Sequence, residues 1–340
     1  MTARDIAYVE LYTSNPQSTV DYFVTSLGFT RVTESVEDYQ TSVLLRQGET
    51  QVLVTSGPAT WKFLAAHGDG IADIALACDD VAETLDAALV AGARTVDSVR
   101  GNPVVSGFGD VCHTLVPWTE DSGTALPSGR AWSPVPVTPS RPAGRIMKLD
   151  HIAICLEGGS LVDQADFYRN AFGFFRYSSE YVAVGEQAMD SIVVRSPGRH
   201  ATFTLVAPDP ARSPGQLDAF LERNSGPGVQ HLAFLVDDIV PAVHESRDRG
   251  TEFLSTPGSY YDMLRARFAE MPEAVEDLQA AQVLADRDEW GYLLQIFSRS
   301  PYERNTLFFE FIQRQGSRGF GSANIRALYE AVERDRLEVE

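Results

Sequence analysis

The sequence predicts an α+β protein of two similar domains, each built from two strand–helix–strand–strand–strand (βαβββ) modules, with a helix at the C-terminus. Three observations lead there. The chain has 340 residues, 44% of them hydrophobic and 22% charged, which suits a globular protein of about two domains. Two long stretches of the first half recur in the second. A segment rich in Pro, Ser and Gly separates the copies.

The repeat gives each element its place. "DIAYVELYTSNPQSTVDYFVTSLGFTRV" (5–32) matches "DHIAICLEGGSLVDQADFYRNAFGFFRY" (150–177). Each reads as a strand, a loop, a helix with an aromatic pair (Tyr22-Phe23, Phe167-Tyr168) and a Gly-Phe turn into a strand. "HGDGIADIALACDDVAETLDAALVAGARTV" (67–96) matches "SGPGVQHLAFLVDDIVPAVHESRDRGTEFL" (225–254). Here the order is a Gly-rich turn, a strand, an Asp-Asp turn and an amphipathic helix. In the second copy that helix carries Ile239, Val240 and Val243 on one side and Glu245, Arg247 and Asp248 elsewhere. The domains are therefore 1–118 and 147–340, joined by a linker, 119–146, that contains "TEDSGTALPSGRAWSPVPVTPSRPAG". Duplicated βαβββ modules of this kind resemble the vicinal oxygen chelate superfamily. In that architecture paired modules form an open, cupped, barrel-like sheet whose inward side chains offer a metal site.

Composition excludes several functions. The formal net charge of −19 argues against nucleic acid, which needs a clustered basic face. No apolar run approaches the roughly 18 residues of a membrane span, and the N-terminus lacks the layout of a signal peptide. Cys78, Cys112 and Cys155 are few, widely spaced and in apolar surroundings, so they read as buried thiols of a reducing, cytoplasmic compartment. A homodimer is compatible with all of this.

One carboxylate does not fit a bland core. Glu310 sits inside "TLFFEFIQ", where an ionised side chain facing inward costs several kcal/mol unless a cation meets it. His151 ("KLDHIAI") and His231 ("GVQHLAF") occupy apolar strands too. Successive members of this trio lie about 80 residues apart, one module each, so equivalent strands can bring them together. Aligning the repeats sets Tyr8 opposite His151 and Asp73 opposite His231, which leaves the metal to the C-terminal half. Two imidazoles and one carboxylate on one face of a metal suit iron(II) and leave positions for a 2-oxo acid and O2, although zinc or manganese also accept such donors. His67, His200 and His244 read as surface residues, and His113 as structural.

With these residues in view, the chain resembles the 4-hydroxyphenylpyruvate dioxygenase family over nearly its whole length. The motifs are "GVQHLAF", "TPGSYYDML", "DRDEWGYLLQIFS", "FFEFIQRQGSRGFGS" and "ALYEAVE". The resemblance implies Fe(II) held by His151, His231 and Glu310, O2 as co-substrate, and a small aromatic 2-oxo acid as substrate. No separate 2-oxoglutarate is needed. It also implies that "SANIRALYEAVERD", with Ile325, Leu328, Tyr329 and Val332 along one face, is a lid helix over the site.

The family has two branches, and three local departures favour the 4-hydroxymandelate synthase branch over the homogentisate-forming one. Where dioxygenases read "GNF", this chain reads "SANI", with Asn324 followed by Ile325. Where they carry Pro-x-Asn, it has Thr204-Leu205-Val206. "HIAICLEGGSL" and "EQAMDSIVV" also look more like the synthase. Other pocket candidates carried by the resemblance are Ser191, Gln216, Gln295, Phe297 and Phe320. Gln230 and Phe309 each precede a ligand, so alternation turns them to the opposite face, where Gln230 would support the ligand from behind or be structural. The expected product is 4-hydroxymandelate, feeding 4-hydroxyphenylglycine or a related natural product such as an antibiotic. The rivals are homogentisate formation, a metal-free aromatic-binding protein of the same fold, and an extradiol catechol dioxygenase, which the Gly-rich tail fits poorly.

Overall fold

The computed structural model describes residues 2–98, 101–120, 124–135, 144–268, 271, 274–321 and 324. The N-terminal half runs β1 (Ala3–Tyr12), α1 (Pro16–Asp21, continued by a wider turn, Tyr22–Ser26), β2 (Thr30–Glu37), β3 (Gln40–Gln47), β4 (Thr50–Ser56), α2 (Trp61–His67), β5 (Gly70–Cys78), α3 (Val81–Val90), β6 (Thr95–Val96), β7 (Val104–Phe108) and β8 (Val111–Pro117). The connecting segment adds β9 (Ser133–Pro134). The C-terminal half runs β10 (Ile146–Cys155), α4 (Leu161–Phe172), β11 (Phe175–Val184), β12 (Gln187–Arg195), β13 (Thr202–Pro208), α5 (Gln216–Asn224), β14 (Gly228–Val236), α6 (Ile239–Asp248), α7 (Gly258–Arg267), α8 (Val275–Ala281), β15 (Leu284–Arg287), β16 (Tyr292–Phe297) and β17 (Phe308–Gln315).

The strands form two sheets, ordered β6-β7-β8-β5-β1-β4-β3-β2-β9 and β11-β12-β13-β10-β14-β17-β16-β15. Read from opposite ends these are one topology, with β9 appended to the first. The first strands of two modules run antiparallel at the centre (β1 with β5, β10 with β14), and each has the last strand of its module as a parallel neighbour. The fold is that of the vicinal oxygen chelate superfamily, as the repeat implied.

The correspondence reaches single residues. Ala3 pairs with Cys78 as Ile146 pairs with Val236, and Tyr8 pairs with Ala75 as His151 pairs with Ala233. Glu10 opposes Asp73 as Ala153 opposes His231. Tyr8 and Asp73 thus stand in the places of the two histidines, and the β5–β8 register puts Thr114 in the place of Glu310.

Helices cover the outer faces, and the two halves interlock through them. Tyr22 and Phe23, after α1, meet Phe309 of β17 with ring centroids 5.7 and 5.3 Å apart. In return α4 brings Tyr168 and Phe172 to His113 of β8, at 5.7 and 5.4 Å. Such pairs contribute roughly 0.5–1.5 kcal/mol each beyond their buried area. The helix can do this because Leu161, Ala165, Tyr168 and Phe172 share one buried stripe, and Gly173 ends it at a φ of 72°. His113 is structural, as expected: its Nδ1–H donates to the Ile74 carbonyl at 3.0 Å and its Nε2 accepts from the Tyr168 hydroxyl at 3.0 Å. His200 and His244 are exposed. His67 is not a surface residue. It is 5% exposed at the end of α2, where its ring lies 2.6 Å from the Asn224 carbonyl of the other half and 3.0 Å from Asp110. The helix ends against that half, and the Gly-rich turn after it carries the chain away.

Candidate active site

β10, β14 and β17 are adjacent, so a residue from each meets in the second cup. His151, His231 and Glu310 lie there with ligand atoms within 4.8 Å of one another, and all three are buried. The imidazole Nε2 atoms stand 3.4 Å (His151) and 3.3 Å (His231) from Glu310 Oε2. Donors ~2.1 Å from a shared metal and at right angles about it stand ~3 Å apart. The donor set therefore fits a metal with little rearrangement.

Two bulges orient the imidazoles. Along the β10–β14 ladder Leu149 opposes Phe234 and His151 opposes Ala233, which leaves Asp150 extra; His231 opposes Ala153 and Val229 opposes Ile154, which leaves Gln230 extra. A bulged residue escapes strict alternation. Each one thus turns to the side of the histidine that follows it. His151 Nδ1–H donates to Asp150 Oδ1 at 3.0 Å, and His231 Nδ1–H donates to Gln230 Oε1 at 3.2 Å. With Nδ1 so engaged, Nε2 is the free donor of each ring and faces Glu310. Gln230 was expected on the far face; the bulge is why it lines the cavity instead.

The charges follow from this packing. Burial alone would raise the Glu310 pKa, but the two imidazoles hold it down to about 2. Burial disfavours the charged form of both rings. At His151 the Glu310 and Asp150 carboxylates outweigh it and the pKa rises. At His231 burial prevails over Glu310, with repulsion from His151 adding to it, and the pKa falls. Asp150 is itself buried, yet the Arg314 guanidinium, 2.7 Å from both its oxygens, keeps it well below the usual carboxylate range.

The cavity beside the triad is walled by most of the expected residues: Ser191, Thr204, Val206, Gln216, Gln295, Phe297 and Phe320. Ser191 Oγ donates to the Glu180 carbonyl at 3.1 Å. Thr204 Oγ1 is buried without a partner among the described residues, and Val206 is 6% exposed. Phe320 meets the His151 ring edge-on at 5.2 Å, and Phe297 meets His231 at 6.0 Å. Gln295 serves the ligand as well as the wall: its Nε2 donates to Glu310 Oε1 at 2.8 Å, and its Oε1 accepts from Asn324 Nδ2 at 2.9 Å. Asn324 is buried behind it and also accepts from the Tyr260 hydroxyl at 3.0 Å. Gly321, at a φ of 73°, must be glycine, because a Cβ there would lie 2.3 Å from Gln295 Oε1. Phe309 faces away, among Tyr22, Phe23 and Phe234. Asn324 is the one described residue of the expected lid helix; Ser322, Ala323, Ile325 and those after it lie outside the described residues.

Sequence reasoning missed Phe308, which stacks on His231 at 4.9 Å. It lies two residues before Glu310, so alternation places it on the ligand's face, and that signal was available. Asp150 and Arg314 were missed as well; only the bulge reveals them.

Residues 1–125 match the family model described as hydroxyphenylpyruvate dioxygenase, N-terminal, and residues 148–296 that of the glyoxalase/bleomycin resistance protein/dioxygenase superfamily. A 4-hydroxyphenylpyruvate dioxygenase of Neurospora crassa is 33% identical over 81% of this chain and 71% of its own length. One from Yarrowia lipolytica is 29% identical over 98% of this chain and 93% of its own. Among solved structures, a mutant of 4-hydroxymandelate synthase from Streptomyces coelicolor superposes with a TM-score of 0.89 at 50% identity, covering 98% of this chain and 99% of that one. A fusion of a xylose isomerase-like TIM barrel with 4-hydroxyphenylpyruvate dioxygenase shares the fold at 24% identity, with a TM-score of 0.78 over 97% of this chain and 52% of that one.

Proposed function

Because this chain belongs to the 4-hydroxyphenylpyruvate dioxygenase family, we propose that it is a cytoplasmic iron(II) enzyme that converts 4-hydroxyphenylpyruvate and O2 into 4-hydroxymandelate and CO2. His151, His231 and Glu310 would hold the metal as two neutral nitrogen donors and one carboxylate. Bound there, iron(II) supplies electrons to O2 and a Lewis-acid seat for the 2-oxo acid that the substrate itself carries.

The protein's part is to hold and to shield. Asp150 and Gln230 keep the imidazoles in the tautomer that offers Nε2, and Gln295 holds the second oxygen of Glu310. Phe297, Phe308 and Phe320 wall the cavity with rings that fit an aryl group and exclude water. The Thr204 hydroxyl, unpartnered among the described residues, supplies a hydrogen bond for a polar group of the substrate.

The observation that carries the choice of product is the apolar wall at Val206. A polar side chain there would anchor one orientation of the aryl group. Val206 can make no such bond, which would leave the ring free to turn aside and bring the benzylic carbon toward the side of the cavity held by His151, His231 and Glu310. Selecting between two carbons of one intermediate takes about 1.4 kcal/mol per tenfold, well within the reach of one contact. The likeness to a 4-hydroxymandelate synthase at 50% identity supports the same choice, and the product would then serve a route to 4-hydroxyphenylglycine or a related compound. The second reading, homogentisate formation, is favoured by the relatives called 4-hydroxyphenylpyruvate dioxygenase.

The test is anaerobic loading with iron(II), then 4-hydroxyphenylpyruvate and air, with proton NMR of the product. The two candidates are isomers, so mass does not separate them. A carbinol proton beside an intact para-substituted ring supports the proposal. A trisubstituted ring bearing a methylene overturns it in favour of homogentisate.

A further inference from the structure

Arg314, four residues after Glu310 on β17, makes an unusual set of contacts. Its Nε and Nη2 reach the two oxygens of Asp150 at 2.7 Å each, and Asp150 in turn accepts from His151 Nδ1. Its Nη1 donates to the Gly319 carbonyl at 2.6 Å. Its guanidinium lies 5.2 Å from the centre of the Phe320 ring, which itself abuts His151. One side chain thus touches the partner of a candidate metal ligand, the backbone of the segment that follows β17, and a ring of the pocket wall.

The segment has other ties: Arg195 lies 5.1 Å from the centre of the Phe320 ring, Arg318 lies over Trp290, and Gly316 bridges to Tyr292. The Asp288 carboxylate accepts from Ser317 Oγ, Arg318 N and Gly319 N at 2.8, 2.7 and 2.8 Å. Gly319 is therefore held from both sides, its N–H by Asp288 and its carbonyl by Arg314. Only the Arg314 side leads to the site. Two residues further on, Gly321 packs on Gln295, which holds Glu310.

We propose that Arg314 is a positioning residue that couples the seating of the segment Gly316–Gly321, and with it Phe320, to the orientation of His151. When the segment is seated, the guanidinium is fixed by Gly319 and presents its fork squarely to Asp150. Asp150 then holds the His151 ring with Nε2 toward Glu310. When the segment lifts, Arg314 loses one of its anchors and Asp150 loses a fixed partner. Coupling of this kind is reciprocal: a metal that fixes His151 must also favour the seated segment. The inference rests on reading His151, His231 and Glu310 as the metal site.

The experiment measures both ends. Iron(II) affinity is determined anaerobically by titration calorimetry, and hydrogen exchange of residues 316–321 is followed by mass spectrometry with and without the metal. The parent protein should show slower exchange in this segment when iron(II) binds. Arg314→Met should weaken iron(II) binding by about 10- to 100-fold, the range for lost partners of metal-bound histidines, and the metal should no longer slow exchange in the segment. Arg314→Lys keeps a cation beside Asp150 but cannot span to Gly319. It should therefore retain most of the affinity while losing the protection, which guards against a variant that merely misfolds. Arg314→Met binding iron(II) like the parent, or a segment whose exchange in the parent ignores the metal, overturns the coupling and leaves the metal site standing. A parent that binds no iron(II) overturns both.

Discussion

The two cups of this protein share strand order, register and even bulges, yet among the described residues only one gathers a metal-binding set. The bulged residues before the second cup's histidines are Asp150 and Gln230; in the first cup the same bulges carry Ala7 and Ala72. Tyr8, Asp73 and Thr114 take the places of His151, His231 and Glu310. Both cups open on a cavity, but the first also receives Arg130 from the connecting segment, whose Nη2 lies 2.7 and 2.8 Å from the two Glu10 oxygens. Asp73 is capped by the Thr114 N–H and hydroxyl at 2.9 and 2.7 Å. The fold supplies positions and bulges, and a handful of side chains decide whether a cup becomes a site. A cup full of polar groups but without a cation to hold must be neutralised in some other way, and the connecting segment does this.

The strongest way to break the difference is to give the second cup the first cup's residue. Glu310→Thr should abolish iron(II) binding in calorimetry and product formation from 4-hydroxyphenylpyruvate, because it removes the one anionic donor of the two-imidazole, one-carboxylate set. Retained turnover would mean that Glu310 is not a ligand.

The converse change takes the first cup's own cation away. Arg130→Met leaves Glu10 buried without its cation, which costs about 3–5 kcal/mol when only one partner of a buried pair is removed. Thermal unfolding should show the loss, and Glu10→Gln in the same chain should recover much of it. Iron(II) affinity of the second cup should stay that of the parent, since Arg130 touches nothing there.

The sequence held the fold and the triad because both are written in long-range pattern. Repeated stretches revealed the modules, and Glu310 stood out as a carboxylate in an apolar strand. Thr204 and Val206 came only through the family resemblance, and Gln295 through that resemblance and through being an amide in an apolar strand, which needs a buried partner. What stayed hidden is what departs from a strand's period of two. Gln230 supports a ligand as expected, but from the cavity face, because a bulge cannot be seen as an irregularity in residue types. Asp150 and Arg314 were passed over because an ion pair between strands is not a motif. His67 was misplaced because the packing of one half on the other leaves no trace in a Gly-rich turn. Arg130 lay in a stretch that read only as a linker, although its guanidinium is among the most buried cations of the described structure.

The smallest expected effect is a pair of opposing pH dependences in the first cup. Burial, with Glu10 adding its charge, raises the Asp73 pKa to about 7, above its ordinary 3.8. Burial lowers the His113 pKa to about 4 from 6.5. Between about pH 4 and 7 the folded chain keeps a proton on Asp73 that the unfolded chain has lost, so this group's contribution to stability falls as pH rises. Between about pH 4 and 6.5 the unfolded chain carries a proton on His113 that the folded chain refuses, so this contribution rises with pH. The two nearly cancel in the parent. Asp73→Asn removes the falling part and should tilt stability upward relative to the parent by about 1 kcal/mol per pH unit, the size of one proton's linkage. His113→Asn should tilt it downward by a similar amount, and the double variant should run parallel to the parent. Urea unfolding at pH 5, 6 and 7 reads all three slopes. If Asp73→Asn runs parallel to the parent, Asp73 is ionised in the fold. Arg130 would then neutralise two carboxylates, and the first cup would be a site already occupied by its own cation.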